Sequence, residues 1–124
     1  PLRDRFAWRL DRSPDVALMN QAANHLLGEH DFIAFGRAVS EGGTTTRRIE
    51  QAVWTQTSGD ESEFSITGNA FLYHMVRRIV YVLVQVGLEE APVGIIKTGL
   101  QSGHTGIVAL APSRGLTMVE VQYA

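Results

Sequence analysis

A chain of 124 residues is enough for one ordinary domain with a core of its own, and a composition 44% hydrophobic and 19% charged is that of a globular protein. The absence of cysteine excludes disulfides and thiolate metal ligands. A formal net charge of −2 argues mildly against a nucleic-acid-binding domain, and no run reaches the roughly 18 uncharged apolar residues of a membrane span. Phe71 to Val86 comes closest, but His74, Arg77, Arg78 and Gln85 interrupt it. Every basic residue except Lys97 is an arginine, the base suited to bidentate pairing with carboxylate or phosphate. A compositional bias of the source genome would give the same pattern.

Taken in chain order, residues 1–10 set Arg3, Arg5 and Arg9 on alternate positions with Phe6 and Trp8 between them, the period of a strand. The chain opens on Pro1 without a signal-peptide pattern, as expected of a segment of a longer polypeptide. Ser13, Pro14 and Asp15 suit an N-cap, a first helical position and the positive end of a helix dipole. Val16, Met19, Ala23, Leu26 and Leu27 then form the apolar stripe of a helix that Gly28 is expected to end. Asp31 is placed to cap a short second helix carrying Phe32 and Phe35, and this capping role outweighs a catalytic reading of the adjacent His30. Residues 36–46 form a loop. Its Glu41-Gly42-Gly43-Thr44 run lacks the lysine and the strand-loop-helix setting of a phosphate cradle.

Residues 47–57 regain strand character, with Ile49, Val53 and Thr55 on one face and Trp54 opposite. The turn at 58–62 and a return strand over 63–67 complete a hairpin. The most apolar helix is expected from Asn69 or Ala70 to about Val86, closed by Gly87. A short helix with Val93, Ile96 and Leu100 follows Pro92, weakened by Gly94 and Gly99. After a loop, Leu116 to Tyr123 ends the chain as a strand with Thr117, Val119, Val121 and Tyr123 on one face. The order predicts a single α+β domain over 1–124, a mixed or antiparallel sheet with helices packed on one face.

The four histidines form no His-x-x-x-His pair, so zinc chemistry is not indicated, and no Gly-x-Ser-x-Gly elbow is present. Two adjacent arginines in the apolar helix stand out. On a 3.6-residue period Arg78 falls with His74, Tyr81 and Gln85, whereas Arg77 falls with Tyr73, Val80 and Val84 and is driven toward the core. A buried guanidinium stays charged and requires a carboxylate or several carbonyls. Two readings fit: an arginine that reaches along the helix flank to solvent or backbone carbonyls, and one that orients a catalytic carboxylate and keeps it ionised. No acid of this sequence presents itself as the partner, since Asp31 and Asp60 fall in a cap and a turn.

Gly68-Asn69-Ala70-Phe71-Leu72-Tyr73-His74-Met75-Val76-Arg77, followed by Ile79-Val80 and Val86-Gly87, resembles a signature of the tRNA pseudouridine synthase A family. Leu26-Leu27-Gly28-Glu29-His30-Asp31-Phe32 with Phe35, Thr46-Arg47-Arg48-Ile49, and Ala111-Pro112 with Gly115-Leu116 and Val121-x-Tyr123 resemble further family segments in the same order. The resemblance implies the C-terminal half of an enzyme that isomerises uridine to pseudouridine in the anticodon stem-loop of tRNA. It implies no cofactor or metal, a homodimer, and a cytoplasmic location without membrane attachment. It also implies an aspartate nucleophile in a Gly-Arg-Thr-Asp-Ala-Gly segment that is not in this sequence, so this chain alone is expected to be inactive.

Residue by residue, the resemblance assigns Arg77 to the ion pair with that aspartate and Leu116 to packing beside the target base. Arg47, His74 and Arg78 become candidates for RNA contact. Departures fall at Gly103 and His104, where the family has an Asp-Arg pair, near Gly43, where it often has a base, and at Tyr81 in place of a glycine. A non-catalytic RNA-binding or assembly domain of the same fold is the alternative.

Overall fold

The computed structural model describes residues 2–9, 14–38, 40–58, 61–107, 109 and 116–123, with side chains for all of these except 6–9, 58 and 116–123. Strands β1 (Leu2–Arg9), β2 (Gly28–Asp31), β3 (Thr46–Ser58), β4 (Glu61–Gly68) and β5 (Leu116–Tyr123) form one sheet. Its order is β2-β3-β4-β1-β5, and every neighbouring pair is antiparallel. Helices α1 (Val16–Ala23), α2 (Met75–Gly87) and α3 (Ile95–Ser102) complete the α+β architecture.

Alternation along β4 divides the sheet into two faces. Phe64 and Ile66 are buried in the same core as Met19 and Ala22 of α1, Ile79, Val80 and Leu83 of α2, and Ile96 of α3. Glu63, Ser65 and Thr67 point the other way and are half-buried. Burying each large apolar side chain of such a core contributes about 1.5–3 kcal/mol. On the opposite face Arg5 pairs with Glu63, a charged contact across β1 and β4.

Strict alternation places Ile49 and Trp54 on opposite faces, yet both are buried. A bulge explains this. Ile49 lies opposite Gly68 and Gln51 opposite Thr67, so Glu50 is the extra residue and the alternation resets. Trp54 then stands opposite Phe64 with ring centroids 5.0 Å apart. β2 covers β3 only from Thr46 to Ile49. Farther along, Asn20 of α1 takes the place of a strand partner. The Trp54 N–H donates to Asn20 Oδ1 at 2.7 Å, and Asn20 Nδ2 donates to the Trp54 carbonyl at 3.0 Å.

Several local expectations are corrected. The N-cap of α1 is Asp15, whose Oδ1 accepts the Leu18 N–H at 3.1 Å; Ser13 lies outside the described residues. The helix ends at Ala23 and tightens into a 3₁₀ turn, so Leu27 leaves the apolar stripe and is 39% exposed. Gly28, with φ 94°, opens β2 instead of closing the helix.

No helix follows Asp31. The backbone of His30 and Asp31 pairs with Arg47 and Thr46, and Asp31 Oδ1 caps a turn by accepting the Ile33 N–H and the Thr45 hydroxyl. Phe32 and Phe35 nevertheless belong to the core.

The long helix begins at Met75 rather than at Asn69 or Ala70. Asn69 is occupied by reciprocal bonds with the backbone of Arg48, and the Tyr73 N–H donates to the Arg37 carbonyl at 3.0 Å. Those backbone groups are committed to extended bridges, so the helical ladder starts only where Arg78 N–H reaches the His74 carbonyl. Short helix α3 forms as expected, with Ile96 buried, although it starts after Gly94 rather than at Pro92. The side chains proposed for one face of β5 lie outside those described.

Candidate nucleic-acid interface

The start of α2 is built from an unusual backbone. His74 is the N-cap and adopts a left-handed conformation, φ 64° and ψ 6°, which costs a residue with a Cβ about 1–2 kcal/mol. An isolated antiparallel bridge between Arg37 and Tyr73 anchors the chain just before it. The bridge is close because Gly36 has no side chain: a Cβ there would lie 2.8 Å from Leu72 Cβ and 2.8 Å from the Tyr73 carbonyl oxygen.

Rings and guanidiniums gather at this point. The Tyr73 ring is 47% exposed. His74 stacks on it with centroids 3.8 Å apart, and the Arg37 guanidinium carbon sits 4.9 Å from its centroid. Gly36, Arg37, Tyr73, His74 and Arg78 line an open cleft of about 460 Å³. A second hollow of about 470 Å³ shares Arg37 and Tyr73 and adds Ala38, Ser40 and Glu41, the last being the acid nearest this surface.

Of the residues singled out in the sequence, His74 and Arg78 meet in the first cleft. Arg77, one position earlier on α2, is half-buried like Arg78 and is not free: it is engaged within this chain. Val80 and Val84, on its helical face, are buried.

Arg47 does not join the cleft. Its Nη1 donates to the Thr46 carbonyl at 2.7 Å and to the Thr44 carbonyl at 3.1 Å. Leu116 stands opposite Trp8 in the β1–β5 ladder, and its side chain is outside those described. Arg37 and Tyr73 were not singled out beforehand. Their signal was an exposed aromatic placed just ahead of a basic helical turn, which becomes legible only once Arg37 is known to be beside it. Among the described residues no group of three histidines or carboxylates is arranged to hold a metal ion, and no helix is long and apolar enough to cross a membrane.

Two sets of likeness bear on this surface. A family model described as tRNA pseudouridine synthase matches residues 22–124. The chain belongs to the tRNA pseudouridine synthase family. Among curated relatives of this synthase family, the chain is 40% identical over 124 residues to tRNA pseudouridine synthase A of Myxococcus xanthus, covering 99% of this chain and 47% of that protein. It is 42% identical over 123 residues to tRNA pseudouridine synthase A of Legionella pneumophila strain Corby, covering 98% and 46%, respectively. Against tRNA pseudouridine synthase A of Xanthomonas campestris pv. campestris strain B100 the identity is 41% over 124 residues, covering 98% and 47%. The chain thus spans about half the length of the synthases it matches.

Proposed function

We propose that this chain is the C-terminal half of a tRNA pseudouridine synthase, supplying one wall of the active-site cleft and part of the tRNA grip. The family match over residues 22–124 carries the reading. The arginine-bearing first turn of α2 supports it, because it offers a permanently charged group for a carboxylate beside others suited to an RNA strand.

In this proposal the nucleophilic aspartate comes from another segment of the whole protein, and Arg77 orients it and holds it ionised. Leu116 packs beside the target base. His74 and Arg78 contact RNA from the cleft, and Arg47, held by the Thr44 and Thr46 carbonyls, contributes positive charge at the start of β3. The reaction breaks the bond between uracil N1 and ribose C1′ and forms one from C5 to C1′. The C5 proton passes to solvent, and N1 ends protonated. No redox partner or metal enters this balance. The finer elements of the proposal are an anticodon stem-loop substrate, a homodimer and a cytoplasmic location.

The test is tritium release from tRNA carrying 5-tritiated uridine, using the intact protein that contains this chain. Release above background is expected. In that protein Arg77→Lys should lower the single-turnover rate by about 10²-fold or more, since an ammonium on a flexible stem cannot hold the carboxylate in a fixed orientation. Absence of release by the intact protein would favour the non-catalytic RNA-binding alternative. A near-normal rate for Arg77→Lys would reduce Arg77 to a packing residue.

A further inference from the structure

The described arginines differ in whether their charge is already satisfied. Arg5 pairs with Glu63, Arg48 lies 3.6 Å from Glu29, and Arg47 is held by carbonyls. Arg3 and Arg77 are engaged as well. Arg37 and Arg78 are the exceptions: among the described residues neither guanidinium makes a hydrogen bond or an ion pair, Arg37 having only the Tyr73 ring; Arg78 Nε, like Arg47 Nε, is withdrawn from solvent without a partner. Both line the same cleft of about 460 Å³. A withdrawn donor left unpaired is unfavourable, so the arrangement favours a ligand that accepts from it.

The rest of the lining narrows the ligand. Beside them lies the Tyr73 ring, stacked on His74 and overlain by the Arg37 guanidinium, in a residue that is 47% exposed. Two guanidiniums suit a phosphate, and an exposed aromatic platform suits a flat base, whatever its identity. Together they match one nucleotide of a strand that is not base-paired at that point. We propose that the cleft of Arg37, Tyr73, His74 and Arg78 is a nucleotide-binding subsite for an unpaired stretch of the tRNA substrate. Its backbone phosphate draws the Arg37 guanidinium off the Tyr73 ring to meet it together with Arg78, and the neighbouring base takes the ring surface that Arg37 vacates, beside the His74 stack. Glu41, which lines the adjoining hollow with Arg37, disfavours a second phosphate there and so favours a strand path toward α2. This subsite rests on the reading of the whole protein as a tRNA-modifying enzyme, but it assigns Arg37 and Tyr73 a role that the reading does not contain.

The test is tRNA binding by the intact protein, titrated over a range of salt concentrations, with thermal unfolding of each variant measured alongside. Arg37→Gln and Arg78→Gln should each reduce the slope of log affinity against log salt by about 0.7–0.9, the share of one neutralised phosphate. Tyr73→Leu should weaken binding by roughly 5- to 150-fold, equivalent to about 1–3 kcal/mol of stacking, while leaving the salt slope unchanged. Tyr73→Phe, which keeps the ring, should bind within about twofold of the parent.

Wild-type affinity and salt slope in folded Arg37→Gln and Tyr73→Leu variants would overturn the proposal. So would losses that track the melting temperature and are not restored by Tyr73→Phe. If Arg37→Gln does not fold, Arg37→Met takes its place, with the same reduced salt slope expected and a parental one contradicting the phosphate contact. Tritium release by the parent protein keeps the two readings apart. Release with unaffected variant binding sinks the subsite alone, whereas no release with the predicted losses sinks the enzymatic reading and leaves the subsite standing.

Discussion

Gly36→Ala tests the joint between the fold and the cleft. A Cβ at Gly36 would stand 2.8 Å from Leu72 Cβ and 2.8 Å from the Tyr73 carbonyl oxygen, where ordinary contact begins at 3.4 Å. Neither neighbour is the end of a flexible side chain; both move only with the backbone. Relief therefore requires displacing the Leu72–Tyr73 segment by several tenths of an ångström, against the Tyr73 N–H bond to the Arg37 carbonyl. Overpacking of this kind costs about 1–3 kcal/mol. Alanine returns about 0.4–1 kcal/mol by restricting the unfolded chain. The net expectation is a loss of about 1–2 kcal/mol, or a melting temperature lower by roughly 3–8 °C. Because the displaced segment carries Tyr73, tRNA affinity should fall in the same variant. Thermal unfolding and an RNA titration on one preparation suffice. A melting temperature equal to the parent's would refute the close-approach argument, and a lowered one with intact RNA binding would detach the bridge from the binding surface.

Three further perturbations probe separate parts of the molecule. Asn20→Leu strands the Trp54 N–H and carbonyl on the uncovered edge of β3 and should destabilise by about 2–4 kcal/mol in urea unfolding; a loss below ~1 kcal/mol would mean that water replaces the amide. Gly87→Ala places a Cβ 2.7 Å from Pro14 Cβ and 2.7 Å from Met19 Cγ, and should lower the melting temperature despite alanine's better helix propensity; a rise would show that α1 yields freely. Asp4→Asn concerns pH. Burial raises the Asp4 carboxyl above its usual 3.8, so the folded state binds the proton more tightly than the unfolded one, and stability falls as pH climbs through the window above 3.8. The amide should raise the melting temperature at pH 7 and lose that advantage below pH 3.8. An advantage that persists in acid would point to packing rather than charge.

What the sequence revealed followed from periodic patterns and from a short stretch of identity. Strand β4 and the buried faces of all three helices follow two-fold and 3.6-fold spacing, because one face of each meets the core. The misses arise where a tertiary bond outranks local preference. Glu50 breaks the alternation of β3 through an inserted bulge that has no marker in composition. Residues 69–73 are apolar enough for a helix, yet their backbone groups are taken by Arg48 and Arg37, far away in sequence. Strand β2 reads as a helix cap because Asp31 serves the same chemistry in a turn.

That shift in the helix start changes the argument about its two arginines. Tyr73 is not on α2, so it does not belong to the helical face of Arg77; Val80 and Val84 do, and they are buried. Arg77 therefore sits above apolar side chains at the first turn, where its contacts hold it. About 100° around the helix, Arg78 faces the hollow that Tyr73, His74 and Arg37 frame. Adjacent positions on one turn thus take opposite roles. One charge, that of Arg77, is engaged within the chain, which suits the orienting role proposed for it. The other, that of Arg78, has no partner among the described residues, which suits the strand contact proposed for it. A helix beginning five residues earlier would have wound Tyr73 onto the axis, and the aromatic surface between Arg37 and Arg78 would not exist. The left-handed turn at His74 is what sets the two surroundings apart, and it leaves the imidazole stacked on Tyr73.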